Sequence, residues 1–237
     1  MRLLEVALLA TDLEEMRRFY CGILGLREVR TEWPGSLDIE AGRTLLTFLP
    51  APGDWRGRYH FAFDVPPDRL DEAAHWLRQR RGLMTGPDGQ NRFHSEEWNA
   101  DNVYFTDPQG NILELIARRE LRQAEAAAQP ASRPFTAGDI VAITEIGLAV
   151  DSVADAVATL REHMPGIGVY SGAGDDRFAA VGDAHGLLIV ALRGRIWYPN
   201  TGVPAEPLMT HLLLELENGK RYRLSAPPFP FAISPAS

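Results

Sequence analysis

The chain has 237 residues, of which 45% are hydrophobic and 24% are charged, as in an ordinary globular protein. The formal net charge of −8 argues against a nucleic-acid or anionic-membrane partner, because both require a basic face. The single cysteine, Cys21, excludes an internal disulfide and favours a reducing compartment, and no apolar run reaches the roughly 20 residues of a membrane span. We therefore expect a cytoplasmic protein.

Three segments repeat one order of features along the chain: a potential metal ligand, an alternating strand, a helix-start signal and an amphipathic helix. They begin at Glu5, His60 and Glu145. Bulky and small side chains alternate after each of these residues, so the bulky face is predicted to pack on the following helix and the ligand to face the other way. The three starting residues are therefore predicted to be structurally equivalent.

Short strands are predicted after each helix. In the first copy they cover residues 27–33, 36–40 and 44–49; in the second, 102–106 and 111–117; in the third, 177–181 and 187–192. Turn signals rich in Gly, Pro and Asp separate them. The repeating unit is thus one strand, one helix and about three strands.

Residues 119–138 interrupt this pattern, because they begin helix-like and become rich in Ala, Pro and Ser. We predict a linker there. It separates residues 1–118, which hold the first two copies, from residues 139–237. The second part contains the third copy, a partial fourth copy near His211 and a Pro-rich tail.

Glu114 lies among four aliphatic residues in the last strand of the second copy. A carboxylate in such a run is costly to bury unless it is paired or bound to a metal. For an isolated Glu, an outward-facing position on a half-exposed strand is the simpler interpretation. The repeat favours a metal site, because pairing the first two copies about a pseudo-twofold axis brings Glu5, His60 and Glu114 to one groove.

Three stretches of the sequence resemble the vicinal oxygen chelate superfamily, namely TDLEEMRRFYCGILGL, HFAFDV and YFTDPQGNILEL. That superfamily includes glyoxalase I, bleomycin-resistance proteins, fosfomycin-resistance enzymes and extradiol dioxygenases. The resemblance covers residues 1–118 well and 140–192 weakly. It implies an α+β fold of tandem βαβββ modules, which form a U-shaped mixed sheet around a metal groove, with a third, degenerate module.

The resemblance implies that Glu5, His60 and Glu114 hold one divalent metal ion, with Fe, Mn, Zn and Ni left open. The chain departs from glyoxalase I at Leu46, where that enzyme usually has a carboxylate, and from extradiol dioxygenases at Glu5, where they have His. Three protein ligands leave room for substrate oxygens. The implied function is a metal-dependent enzyme acting on a small oxygen-rich substrate, with dioxygenase-like or glyoxalase-like lyase or isomerase chemistry.

The dioxygenase branch also implies a His and a Tyr that assist proton transfer, and Tyr104 and His94 are the candidates. The candidate substrate-binding residues are Trp33, Phe48, Arg92 and Trp98. Arg92 is suited to neutralising an anionic substrate, although arginines are common in loops. Core packing is the simpler interpretation of Trp98.

A metal-free binding or sequestration protein of the bleomycin-resistance type is the alternative function. In that protein Glu5 and Glu114 line an aromatic groove with Trp33, Phe48 and Trp55. A structural module with a vestigial groove is a third interpretation.

The third copy repeats the ligand position at Glu145 but has Val190 at the position we align with Glu114. We therefore predict that this copy has kept the fold without the chemistry. The third copy is then expected to contribute to packing, to closure of the pocket or to contact with a second chain in a homodimer.

Overall fold

Two seven-stranded mixed β-sheets contain the fourteen strands of this computed structural model, which describes residues 1–29, 35–121, 133–171, 174–199, 201–227 and 231–236. In chain order the strands are β1 (Arg2–Ala10), β2 (Arg27–Val29), β3 (Leu37–Ala41), β4 (Thr44–Pro50), β5 (His60–Asp64), β6 (Phe93–Ser95), β7 (Ala100–Thr106), β8 (Ile112–Arg118), β9 (Ala142–Val150), β10 (Phe178–Asp183), β11 (Gly186–Leu192), β12 (Thr210–Glu215), β13 (Arg221–Ala226) and β14 (Ala232–Ala236).

Within these described ranges, three α-helices accompany the strands: α1 (Leu13–Arg17), which continues into a π-helical segment (Arg18–Ile23), α2 (Leu70–Arg78) and α3 (Val153–His163). Asp12 caps α1, because its carboxylate accepts a hydrogen bond of 2.8 Å from the backbone of Glu15. Ser152 caps α3 in the same way. None of the described helices has the length and apolar character of a membrane span.

The predicted α+β class is confirmed, and the first two copies form the predicted unit of one strand, one helix and three strands. The third segment forms β9, α3, β10 and β11. The predicted linker stays a prediction, because residues 122–132 of it lie outside the described residues.

The copies pair differently from the sequence prediction. The first sheet has the order β14-β13-β12-β1-β4-β3-β2, and the second has the order β10-β11-β9-β5-β8-β7-β6. The first copy therefore pairs with the C-terminal strands through β1 and β12, and the second pairs with the third through β5 and β9; both pairs are antiparallel. The predicted pairing of the first and second copies is wrong, because each starting strand offers a similar edge and local sequence does not select its partner.

One hydrophobic core cluster includes residues of both sheets and all three helices. In β5 the alternation is as predicted: Phe61 and Phe63 belong to this cluster, whereas His60 and Ala62 face the opposite side of the second sheet, where His60 lines a groove.

Gly42 and Thr44 join the first sheet to the start of β9. Gly42 has a positive φ of 61°, and a Cβ there would lie 2.1 Å from the carbonyl oxygen of Val141. The Thr44 hydroxyl donates to the Leu3 carbonyl at 2.8 Å and accepts from the Ile143 backbone at 3.0 Å. These contacts fix β9 where it can pair with β5.

Candidate metal centre

His60, Glu114 and Glu145 meet on one face of the second sheet. Each is buried and offers a ligand atom, and these atoms all lie within 4.8 Å of one another. The topology explains the cluster: β5 lies between β8 and β9, and Ala62 is in register with Glu114 on one side and Glu145 on the other. His60 precedes Ala62 by two residues and shares its face, so the three side chains converge.

The imidazole of His60 is oriented by the backbone of β8. Its Nδ1 lies 3.2 Å from the carbonyl oxygen of Ile112. If Nδ1 carries the proton it donates to that carbonyl, and Nε2, which lies 3.8 Å from Glu114 Oε2, keeps its lone pair for a metal. Burial, together with the positive charge of the nearby Arg195, lowers the pKa of His60 to about 4, so the ring is neutral at pH 7.

Glu114 is held by a side chain of the neighbouring strand β7. Asn102 donates to Glu114 Oε1 at 2.8 Å and also to the hydroxyl of Tyr104 at 3.2 Å. Burial raises the pKa of Glu114 to about 8, and the charge of Glu145 contributes to the same effect. Burial also raises the pKa of Tyr104 well above its usual value, so its hydroxyl stays protonated.

Arg118, whose side chain is fully buried, partly compensates this negative cluster. Its guanidinium donates to Glu145 and, at 3.1 Å, to the hydroxyl of Thr144, and it lies 4.0 Å from Asp64. When ionised, the three buried carboxylates of Asp64, Glu114 and Glu145 carry three negative charges, and the one guanidinium neutralises only one of them. Two negative charges are then left in excess. Burial raises the pKa of Asp64 to about 7 and raises that of Glu145 as well. One divalent cation would offset this excess, so the donor set fits a metal.

The candidate ligands open onto a cavity of about 460 Å³, within the usual range of small-molecule sites. Its aromatic lining consists of Phe93, Trp98, Tyr104, Phe178, Trp197 and Tyr198. The segment after β11 forms part of its wall. The backbone N–H of Trp197 donates to the Val203 carbonyl oxygen at 3.0 Å, and the Trp197 ring centre lies 5.1 Å from that of His60, with the two rings tilted by 35°. Gly147 permits this approach, since a Cβ there would lie 2.7 Å from the Trp197 ring.

Five of the predicted site residues come together around this cavity, namely His60, His94, Trp98, Tyr104 and Glu114. Tyr104 is in register with Glu114 across the β7–β8 pair. His94 lies nearer the solvent, with 45% of its side chain exposed, and its Nδ1 is 2.9 Å from a carboxylate oxygen of Asp101.

Glu5 is not part of this cluster, contrary to the sequence prediction, because β1 pairs with β12 and β4 rather than with β5. It lines a different groove of about 440 Å³ in the first sheet, 4.0 Å from Arg223. The register of this groove repeats that of the metal cluster: Ala7 is opposite Thr47 and His211, as Ala62 is opposite Glu114 and Glu145. Glu5 is therefore the counterpart of His60.

This register also shows which residues of the other copies are equivalent to Glu114, and they differ from those expected from the sequence. Its counterparts are Thr47 in β4 and Ile189 in β11, and not Leu46 and Val190. Leu46 and Val190 are fully buried in the core on the opposite face of their strands. A shift of one residue moves a side chain to the other face of a sheet, which explains the error.

Two predicted substrate-binding residues, Phe48 and Arg92, do not line the described cavity. Phe48 is in the core, 5.1 Å from the ring of Tyr20, because alternation turns Thr47 and Leu49 toward the groove instead. Arg92 is paired with Asp71 and Asp101. Trp33 lies outside the described residues.

Sequence reasoning missed several residues of the site. Glu145 had a usable signal, since it repeats the ligand position of His60. Asn102 and Arg118 flank Glu114 in β7 and β8, but their contacts depend on strand register. Further cavity residues that the sequence reasoning missed include Phe93, Phe178, Arg195, Trp197 and Tyr198.

Comparisons with known proteins identify the superfamily and a similar fold. Residues 2–115 match the model of the Glyoxalase/Bleomycin resistance protein/Dioxygenase superfamily. The uncharacterized protein YaeR of Escherichia coli K12 is 30% identical over 128 residues, which cover 46% of this chain and 91% of that protein. The crystal structure of a “putative dioxygenase” from Bacillus subtilis strain 168 is similar over 95% of this chain and 81% of that one, with a TM-score of 0.60 and 18% identity, a likeness of fold alone.

Proposed function

Because this chain belongs to the glyoxalase/bleomycin resistance protein/dioxygenase superfamily, we propose that it is an enzyme that binds one divalent metal ion and acts on a small oxygen-bearing substrate. The observation that carries the proposal is the convergence of His60, Glu114 and Glu145 within 4.8 Å beside an aromatic cavity. Three buried potential ligands whose donor atoms converge in this way are characteristic of a metal site.

The ligand set consists of one imidazole nitrogen and two carboxylates, and Fe, Mn, Zn and Ni are the candidate ions. A divalent ion held there supplies Lewis acidity to a substrate oxygen. The neighbouring residues orient the ligands: the Ile112 carbonyl holds His60, Asn102 holds Glu114, and Arg118 holds Glu145.

Tyr104 is the candidate proton donor at the reacting centre. Its hydroxyl lies 3.2 Å from Asn102, lines the cavity and is kept protonated by burial, which raises its pKa. His94 is more exposed and paired with Asp101, so it is suited to exchanging a proton between the cavity and solvent. Dioxygenase-like and glyoxalase-like reactions are both compatible with these roles.

Metal analysis of the purified protein tests the proposal. The protein is stripped with chelator, reloaded separately with Fe(II), Mn(II), Zn(II) and Ni(II), desalted and assayed by elemental mass spectrometry. We expect one ion per chain for at least one metal and a loss of that ion in His60→Ala. His211→Ala is the matched control, because His211 lies in the groove of the first sheet. Substoichiometric metal that His60→Ala leaves unchanged would refute the proposal.

A metal-free binding or sequestration protein is the second candidate, and the aromatic lining of the cavity favours it. Six aromatic side chains can bind a planar ligand whether or not a metal is present. Arg118 already compensates part of the charge of Glu145. Protection of the chelator-treated protein against thermal unfolding by an aromatic ligand, in the absence of stoichiometric metal, would support this candidate instead.

A further inference from the structure

Arg195 is a half-buried cation on the wall of the cavity. Its guanidinium lies 4.8 Å from the ring centre of Phe178. Within the described part of the chain it forms no ion pair and no side-chain hydrogen bond, although Asp175 and Arg177 are close enough to influence it electrostatically. A guanidinium that has lost part of its hydration without gaining an anionic partner is a favourable site for an anion of a ligand.

Trp197 provides a second unsatisfied donor on the same wall. Its indole Nε1 is buried and has no hydrogen-bond partner. Ile196, which separates Arg195 from Trp197, is 42% exposed and bridges to Pro204, and both Arg195 and Trp197 line the cavity from this one extended segment. Leaving a buried N–H unpaired costs about 1–3 kcal/mol, and a ligand oxygen would remove this penalty.

The other charges of the cavity restrict which anion is suitable. Glu97, Glu114 and Glu145 also line it, so a ligand with several negative charges is disfavoured. A single guanidinium matches a planar monoanion, above all a carboxylate, which accepts two parallel hydrogen bonds. The six aromatic rings suit a flat, apolar body.

We propose that Arg195, assisted by Trp197, binds the carboxylate of a small aromatic acid, which is the substrate class of the cavity. This inference rests on the proposed function for the role of the ligand as substrate, but the anion site itself requires only the cavity. Arg195 is then the residue that determines the preference for an acid over a neutral ligand.

Paired probes test the inference directly. Binding of 2-naphthoate and of its neutral analogue 2-naphthamide is measured by calorimetry on metal-loaded and chelator-treated protein. We expect the wild-type protein to bind the acid more tightly than the amide. In Arg195→Met the affinity for the acid should fall on the order of ten- to hundredfold, whereas the affinity for the amide should stay the same. Trp197→Phe keeps the ring and should reduce binding of the acid more modestly.

Arg193→Met is the matched control, because Arg193 is exposed, is paired with Asp151 at 2.7 Å and does not line the cavity. Thermal unfolding of each variant establishes that it is folded. Failure of the wild-type protein to prefer the acid, or an unchanged preference in folded Arg195→Met, would overturn the inference. Stoichiometric metal without this preference refutes the inference alone, whereas the preference without metal refutes the proposed function alone.

Discussion

Arg118 donates a hydrogen bond to Glu145 in the interior of the second sheet, where the Arg118 side chain has no exposed surface. The pair joins the end of β8 to β9, two strands that are both neighbours of β5 but not of each other. It therefore fixes the third copy's carboxylate beside the second copy's His60 and Glu114.

Replacing Arg118 by Met should destabilise the metal-free protein by about 3–5 kcal/mol, because it leaves Glu145 buried without its cation. Saturating metal should reduce this loss, since the ion then compensates the carboxylates. Urea unfolding with chelator and with metal measures both values. Arg193→Met serves as the exposed control, and an Arg118→Met stability equal to that of the control would contradict the prediction.

Glu145→Gln should abolish stoichiometric metal binding, whereas Glu5→Gln should leave it unchanged. Glu145 is in the buried cluster, and Glu5 is in the groove of the first sheet. Elemental analysis after reconstitution compares the two variants, which make the same chemical change at equivalent positions of two copies. Loss of metal in Glu5→Gln alone would restore the ligand set expected from the sequence.

Asn102→Leu should lower metal affinity about 10–100-fold, because Glu114 loses the donor that orients it. The fold should tolerate the change, since Asn102 Oδ1 is itself a buried acceptor without a partner and the substitution removes it. Competitive metal titration and urea unfolding separate the two effects. Asn91→Leu, at a residue bonded to Arg78, is the control; an equal loss of affinity there would argue against an orienting role.

The stability of the metal-free protein should fall as the pH rises from about 6.5 to about 8. Folding raises the pKa of Asp64 to about 7 and of Glu114 to about 8, so in this window the folded state binds more protons than the unfolded state. The titration of His60 makes stability rise with pH, but only between about pH 4 and pH 6.5, because folding lowers its pKa to about 4. The slope is at most about 1.4 kcal/mol per pH unit for each proton released.

Chemical unfolding in chelator at closely spaced pH values measures this slope. Glu114→Gln is the comparison variant, since its side chain does not titrate and the fall in stability should be shallower. A stability that rises through the same window in the wild-type protein would contradict the prediction.

Gly147→Ala should displace Trp197 and weaken ligand binding, because the added methyl group would lie 2.7 Å from its ring. Overpacking of this kind typically costs about 1–3 kcal/mol. Tryptophan fluorescence, near-ultraviolet circular dichroism and binding of 2-naphthoate report the displacement. Gly168→Ala is the matched control, since no atom lies within 4 Å of a Cβ there. Unchanged spectra and binding in Gly147→Ala would show that the ring adapts without leaving His60.

The sequence determined the repeating unit and, through the resemblance of its motifs, the superfamily. Alternation placed His60 and Glu114 on one side of their strands, and the repeat identified Glu145 as the equivalent of His60. These features depend on side-chain periodicity and helix capping, which are local properties of the chain.

Only the tertiary structure decided which copies share a groove. The starting strands of all copies present similar edges, so the choice of partner depends on contacts between distant segments, such as Gly42 with Val141 and Thr44 with Ile143. That choice replaced Glu5 by Glu145 in the candidate metal centre. The approach of Arg118 to Glu145, and of Arg195 and Trp197 to the cavity, likewise depends on strand register and on the course of one loop, which periodicity alone does not determine.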